Sequence, residues 1–378
     1  MRVRPGSAGV ALLIAASVAG TAPDANASGQ IPFDPQNHNQ RAGLALVNGV
    51  VYIAWASHED HDPYHGWIMG YSASTLAQVP GGVFNTTPNA VAIFSYSRGG
   101  IWMSGGAPAA DAGNNLYLIT GNGTYDGLTN FGDSVLKFST STGLTLTDWF
   151  TPSDQSFLDS TDLDLGSGGA VVLVDQATGP VQHLLIGGGK HGSGSDGQIY
   201  VLNRDLMGQF TSTDGGVVQK FPLNSSIFAT LAFWQNNLYV AGVGGSLTAF
   251  SFNPATGQFN ASPSSQSATT YGFPGATPSV SSNGSASGIV WAIDSSKYCT
   301  PASTECGPAV LHAYDATSLA TELWNSSQGA GNTAGNAVKF TVPTVANGKV
   351  YIGTRGNDTG TGTSSVLGEL DVYGLLPN

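Results

Sequence analysis

Asn48-Gly49-Val50-Val51-Tyr52-Ile53 reads as a tight turn followed by an apolar strand, and the chain repeats the phrase. It returns at Asn115-Leu116-Tyr117-Leu118, Asn237-Leu238-Tyr239-Val240 and Asn347-Gly348-Lys349-Val350-Tyr351-Ile352, with looser copies around Leu184-Leu185 and Val290-Trp291. Each copy leads into a second phrase: an apolar-x-apolar-aromatic strand, then a Thr-Gly-type turn, then another strand end. Val135-Leu136-Lys137-Phe138 with Thr142-Gly143 and Trp149 is one clear case, and Leu247-Thr248-Ala249-Phe250 with Thr256-Gly257 and Phe259 is another. Leu311-His312-Ala313-Tyr314 leading to Trp324 is a third. Repeats of this period, built of short strands, mark a radial or solenoid β architecture rather than an α/β enzyme.

The spacing predicts an all-β chain of four-stranded antiparallel blades. Six blades are recognisable, over about 42–84, 104–151, 168–222, 226–262, 273–326 and 338–376, and counts of six to eight fit the length. Fifty-two glycines among 378 residues suit many short strands joined by tight turns. The 41% hydrophobic content supplies a core and excludes general disorder. A net charge of −12, with only 12 Lys and Arg, excludes a nucleic-acid partner, because no basic stripe is available to neutralise phosphates.

Cys299 and Cys306 are the only cysteines and sit in one insertion, with a local disulfide and two free thiols as the competing states. Arg2 and Arg4 precede the apolar run Val10–Val18, and Ala25-Asn26-Ala27 resembles a cleavage site before Ser28. Residues 1–28 therefore read either as a signal-peptide-like segment or as a closing strand over Gly9–Val18, with the repeat domain over 29–378. The apolar run is too short to span a bilayer. The expectation is an exported chain, secreted or periplasmic, and a monomer. Phe259–Gly272, rich in Ser, Thr, Asn and Gln, reads as a solvated loop.

Phe33-Asp34-Pro35 through Asn39-Gln40-Arg41, Tyr64-His65-Gly66-Trp67, and Gly99-Gly100-Ile101-Trp102 through Gly121-Asn122-Gly123-Thr124-Tyr125-Asp126 carry a family resemblance. They and the repeated strand phrase are similar to bacterial propellers of the pyrroloquinoline-quinone (PQQ) type, the quinoprotein alcohol dehydrogenases among them. The resemblance implies a β-propeller, and for its enzymes a quinone held with calcium and an aspartate as base. On that likeness Asn122, with Asp126 as a substitute, would ligate calcium, Lys190 and Trp102 would contact the quinone, and Thr151-Pro152-Ser153-Asp154 and Asp162-Leu163-Asp164 would follow as the family's acidic stretch. The position aligned with the catalytic aspartate is Ser139, so the base would have to come from Asp126, Asp133 or Asp154. The adjacent cysteines of several such enzymes are absent.

Two clusters could hold metals by residue type alone. His58, His61 and His65 lie on one hairpin tip and offer imidazoles for a transition metal, against a bland reading as tip polarity and blade-edge packing. Asp162 and Asp164, with Asp154 and Asp159, offer oxygens for a hard cation, calcium first, against an Asx-turn loop. Arg41, Arg98, Lys190 and Arg204 are scarce cations that need carboxylate partners if buried; for Arg204 the neighbouring Asp205 suggests a turn pair. Tryptophans recurring about once per blade read as blade-docking residues. The reading that results is an exported non-catalytic scaffold or ligand-binding propeller. A PQQ- and calcium-dependent dehydrogenase acting on alcohols or sugars is the alternative, and a carbohydrate-binding propeller using Tyr64, Trp67 and Trp102 is a third.

Overall fold

The structure is a computed structural model that describes residues 16–91, 97–190, 197–300, 306–329, 331–356 and 368–374. Among these the chain is all-β: six small sheets that are the blades of a β-propeller, two further two-stranded pairs (Ser17–Ala19 with Gln30–Pro32, and Tyr64–His65 with Ser97–Arg98), and one α-helix, Gln155–Thr161. Contacts divide it into two compact units.

The N-terminal unit, residues 16–226 with 254–258, holds three blades. The first runs Ala45–Val47, Val50–Ser57, Trp67–Ser72, Gln78–Asn85, with His38–Asn39 extending the pairing of its second strand. The second runs Ala109–Ala110, Asn115–Ile119, Val135–Ser139, Thr145–Thr151, with Gln209–Phe210 added parallel at its edge. The third runs Val171–Val172, Leu184–Lys190, Gly197–Asn203, Val217–Leu223. The C-terminal unit, 227–253 with 259 onward, holds the other three. They are Ala232–Trp234, Asn237–Val240, Gly245–Asn253, Ser265–Tyr271; then Ser279–Asn283, Ala286–Asp294, Val310–Asp315, Ser318–Asn325; then Thr344–Ala346, Lys349–Thr354, Glu369–Gly374.

The repeated Asn-Gly phrase is the first hairpin turn of a blade. Asn48 (φ 48°) and Gly49 (φ 76°), like Asn347 (φ 50°) and Gly348 (φ 69°), both take the left-handed conformation. Two such residues in succession match the right-handed twist of the flanking strands. Period-two alternation then distributes each strand's apolar residues to two faces. Leu116 and Leu118 meet Tyr52, Ala54 and Ile68 of the first blade, whereas Tyr117 and Ile119 meet Leu185, Tyr200 and Leu202 of the third. The C-terminal unit repeats the scheme, with Tyr239, Leu247 and Tyr271 against Val290 and Tyr314, and Ile293 and Leu311 against Val350 and Ile352. Blades buried on both faces explain strands that are apolar throughout.

One expectation changes. Phe259–Gly272 is not simply a solvated loop: Ser265–Tyr271 is the outer strand of the fourth blade, its Ser267 and Tyr271 buried. Ser17–Ala19 pairs with Gln30–Pro32 and packs beside Trp55 and Trp67 through Ile31 and Phe33; residues 1–15, with most of the Gly9–Val18 run, lie outside the described residues. Cleavage before Ser28 would remove this strand, the buried Ala22, and Asp24, which faces His65. Cys299 and Cys306 form a disulfide.

Candidate functional site

In a four-stranded antiparallel blade the second and fourth strands run the same way. Loops leaving those two strands therefore emerge at one end of the blade. In the N-terminal unit these loops, and the end of Leu184–Lys190, carry most of the predicted site residues.

The helix Gln155–Thr161 closes on Asp162 in the left-handed conformation (φ 58°, ψ 43°), which turns the chain back and presents Asp162 and Asp164. Asp164 Oδ1 accepts the Asn122 backbone N–H at 2.9 Å, and Asp164 Oδ2 takes the Lys190 ammonium at 2.7 Å. Asn122 Nδ2 donates to Asp162 Oδ1 at 2.9 Å, and Lys190 Nζ donates to the Asp162 carbonyl at 2.9 Å. Gly121 is required by this packing, since a Cβ there would stand 2.3 Å from Asp164 Oδ1. Asp133 Oδ1 accepts the Leu165 N–H at 3.0 Å, while Asp133 Oδ2 and Asn122 Oδ1 are buried with no donor.

A second row of charge flanks this core. Tyr64 Oη donates to Asp60 Oδ1 at 2.8 Å, Arg98 lies 3.7 Å from Asp62, and the Arg41 guanidinium sits 5.1 Å over the Trp102 ring. Burial pulls Arg41 down to about 10, with Asp60 and Asp164 opposing. Burial and then the Asp164 carboxylate hold Asp133 well above the usual carboxylate value. Desolvation and Asp164 also raise Asp162, whose side chain is 73% exposed. Lys190 is raised because the attraction of Asp164 and Asp162 outweighs its burial. Among the described residues, Asp60, Asp62, Asp159, Asp162 and Asp164 surround the three cations Arg41, Arg98 and Lys190.

The structure thus brings together Asn122, Asp133, Asp162, Asp164 and Lys190, with Trp102 at the flank. It leaves Asp126 out: that carboxylate binds the N–H groups of Leu128, Thr129 and Asn130 and closes its own turn. Asp154 precedes the helix and acts electrostatically on Tyr200. Ser139 pairs with Asn115 at the far end of its strand from Asp133, so its lack of a carboxylate does not bear on this site. His58 and His61 are exposed, whereas His65 is buried, hydrogen-bonded to Thr87 Oγ1 at 2.9 Å and to Asp24 at 3.2 Å. No group of three His, Cys, Asp or Glu is arranged to hold a metal among the described residues. Arg204 is buried and pairs with Asp111 and Asp175, while Asp205 instead takes His183. Tyr64 and Trp67 are fully buried and Trp102 is 8% exposed, so none offers an open face to a sugar. The Arg41–Trp102 and Asp24–His65 contacts escaped sequence reasoning; the scarcity of cations was the one usable signal.

No helix among the described residues is long and apolar enough to cross a membrane. No protein-family model and no curated protein matches the chain. Solved structures do. A quinohemoprotein alcohol dehydrogenase from Pseudomonas putida HK5 aligns at 13% identity and TM-score 0.54, over 90% of this chain and 61% of its own. A europium-containing methanol dehydrogenase aligns at 14% identity and TM-score 0.44, over 88% of this chain and 73% of its own. BamB from Moraxella catarrhalis aligns at 12% and 0.38, over 90% and 84%. The chain spans about three-fifths of the alcohol dehydrogenase's length. At such identities the likeness is one of fold, and the fold is a β-propeller, like that of the quinohemoprotein alcohol dehydrogenase.

Proposed function

We propose that this chain is an exported ligand-binding propeller that performs no turnover of its own, and that its ligand is a small cation held at the Asn122–Asp162–Asp164 cluster. The observation that carries this is that Asp162 and Asp164 share the Lys190 ammonium beside the buried Asn122 Oδ1, which has no donor. Oxygen-only donors of this kind suit calcium, with Asn122, Asp162 and Asp164 as the residues that would hold it. A quinone bearing several carboxylates fits poorly: it would meet five acidic side chains, and Arg98 and Lys190 already engage Asp62 and Asp164. The disulfide supports an oxidising compartment.

One observation favours the dehydrogenase reading. Asp162 is a solvent-facing carboxylate with a raised proton affinity, as a general base requires. The test is calorimetric titration with calcium, then with PQQ, followed by dye-linked alcohol oxidation. Saturable calcium binding lost in Asp162→Ala, with no dye reduction, supports the binding reading. Turnover abolished in Asp162→Asn overturns it in favour of the dehydrogenase.

A further inference from the structure

The C-terminal unit carries a second constellation, made of rings rather than carboxylates. Lys339 Nζ lies 5.1 Å from the ring centroid of Tyr298, 5.8 Å from Phe273 and 5.9 Å from Phe340. The rings are not stacked: Phe273 meets Phe340 at 86° and Tyr298 at 58°, with Phe228 edge-on behind it at 5.2 Å. They therefore wall three sides of one point.

Three further observations mark the place as built for occupancy. Phe273 is 37% exposed, unusual for a ring inside an aromatic cluster. Phe340 sits at φ 64°, a left-handed conformation that a bulky residue keeps only when its surroundings impose it. Lys339 is exposed and makes no ion pair among the described residues, so its ammonium lies against the rings with its other side in water. The loops involved also correspond to those of the first site. Phe273 follows the fourth strand of its blade, as Trp102 does; Tyr298 follows a second strand, as Asn122 does; Lys339 and Phe340 follow a fourth, as Asp162 and Asp164 do.

We propose that Phe273, Tyr298 and Phe340 form an aromatic cage for a quaternary ammonium group, with Lys339 as a built-in occupant that the ligand displaces. Ring faces carry the negative end of the aromatic quadrupole and attract a cation placed over them. A methylated ammonium gives up less hydration than a primary one on entering, so the cage favours it over Lys339. A sugar would instead need a flat platform, which rings crossing at these angles do not provide.

Tetramethylammonium chloride titrated into the full chain, read by calorimetry and by the aromatic proton resonances, tests this. Saturable binding is expected, tightened about tenfold in Lys339→Ala, where the cage is vacated, and weakened at least tenfold in Phe273→Leu, which keeps apolar bulk without the ring. 3,3-Dimethylbutanol, the neutral isostere of choline, should not compete. Equal binding of that alcohol, or affinities unchanged in both variants, overturns the cage. Competition by free choline assigns a soluble ligand, and choline-sensitive sedimentation with phosphatidylcholine vesicles assigns a lipid headgroup.

Discussion

Replacing Lys190 by Met removes the one ammonium that Asp162 and Asp164 share while keeping the length of the side chain. Lys190 and Asp164 are 16% and 12% exposed and 2.7 Å apart. At an effective dielectric near 20, two unit charges at that separation attract by about 6 kcal/mol, and desolvation of both groups consumes much of it. Deleting one partner leaves the other buried and uncompensated, so Lys190→Met should destabilise by about 3–4 kcal/mol. Asp164→Asn should cost less, about 2 kcal/mol, because the amide oxygen still accepts the Asn122 N–H. The double variant should be less unstable than the sum of the two by about 2 kcal/mol, since neither charge is then left alone. Urea unfolding followed by tryptophan fluorescence measures all three. A cost below about 1 kcal/mol for Lys190→Met would show a solvated surface pair and refute the buried-cluster reasoning.

Three further outcomes are expected. Asp133 keeps a proton in the folded chain that the unfolded chain releases above the ordinary value of 3.8, so stability falls as pH rises from there until the folded group ionises. Asp133→Asn should flatten that dependence and gain about 1 kcal/mol at neutral pH; identical pH profiles from denaturation midpoints would contradict it. Burial alone would raise Asp24, but the hydrogen bond and charge of His65 more than reverse this. A lowered carboxyl stabilises above 3.8 and loses that contribution as pH falls below it, so Asp24→Asn should cost about 1 kcal/mol at pH 7 and nothing in strong acid. Trp67 is fully buried and donates Nε1–H to His38, so Trp67→Ala should cost about 3–5 kcal/mol, read as a shift in the thermal midpoint.

The blades were legible because their signal is doubled. An Asn-Gly turn with two left-handed residues fixes where a hairpin bends, and an apolar-Tyr-apolar strand fixes which side chains face which neighbour. Ser265–Tyr271 lacked both marks. It is an outer strand with half its residues in water, and its inward positions, Ser267 and Tyr271, include only one large apolar side chain. The helix Gln155–Thr161 was hidden for a related reason: two turns that bury little more than Gln155 and Leu158 leave no periodicity to read.

The site was legible in its residue types but not in its pairings, and strand polarity explains the difference. A strand delivers its first and last residues to opposite ends of a blade, so only side chains at ends of like polarity can meet. Asp133 precedes Val135–Ser139 and Ser139 ends it, which is why the first joins Asn122 and Asp164 and the second cannot. Searching for the base at Ser139 followed position along a motif, whereas the fold selects by strand end. Strand end does not separate His65 from His58 and His61, which share one connection; burial does, His65 being turned into the core beside Trp67 while the other two stay in solvent. Applied to the C-terminal unit, the strand-end rule picks out the loops after Tyr271, Asp294 and Asn325, and these are the loops that bring Phe273, Tyr298 and Lys339 together. Acidic residues at those loop positions yield a cation site through charge; aromatic residues there yield one through ring faces, with no carboxylate needed.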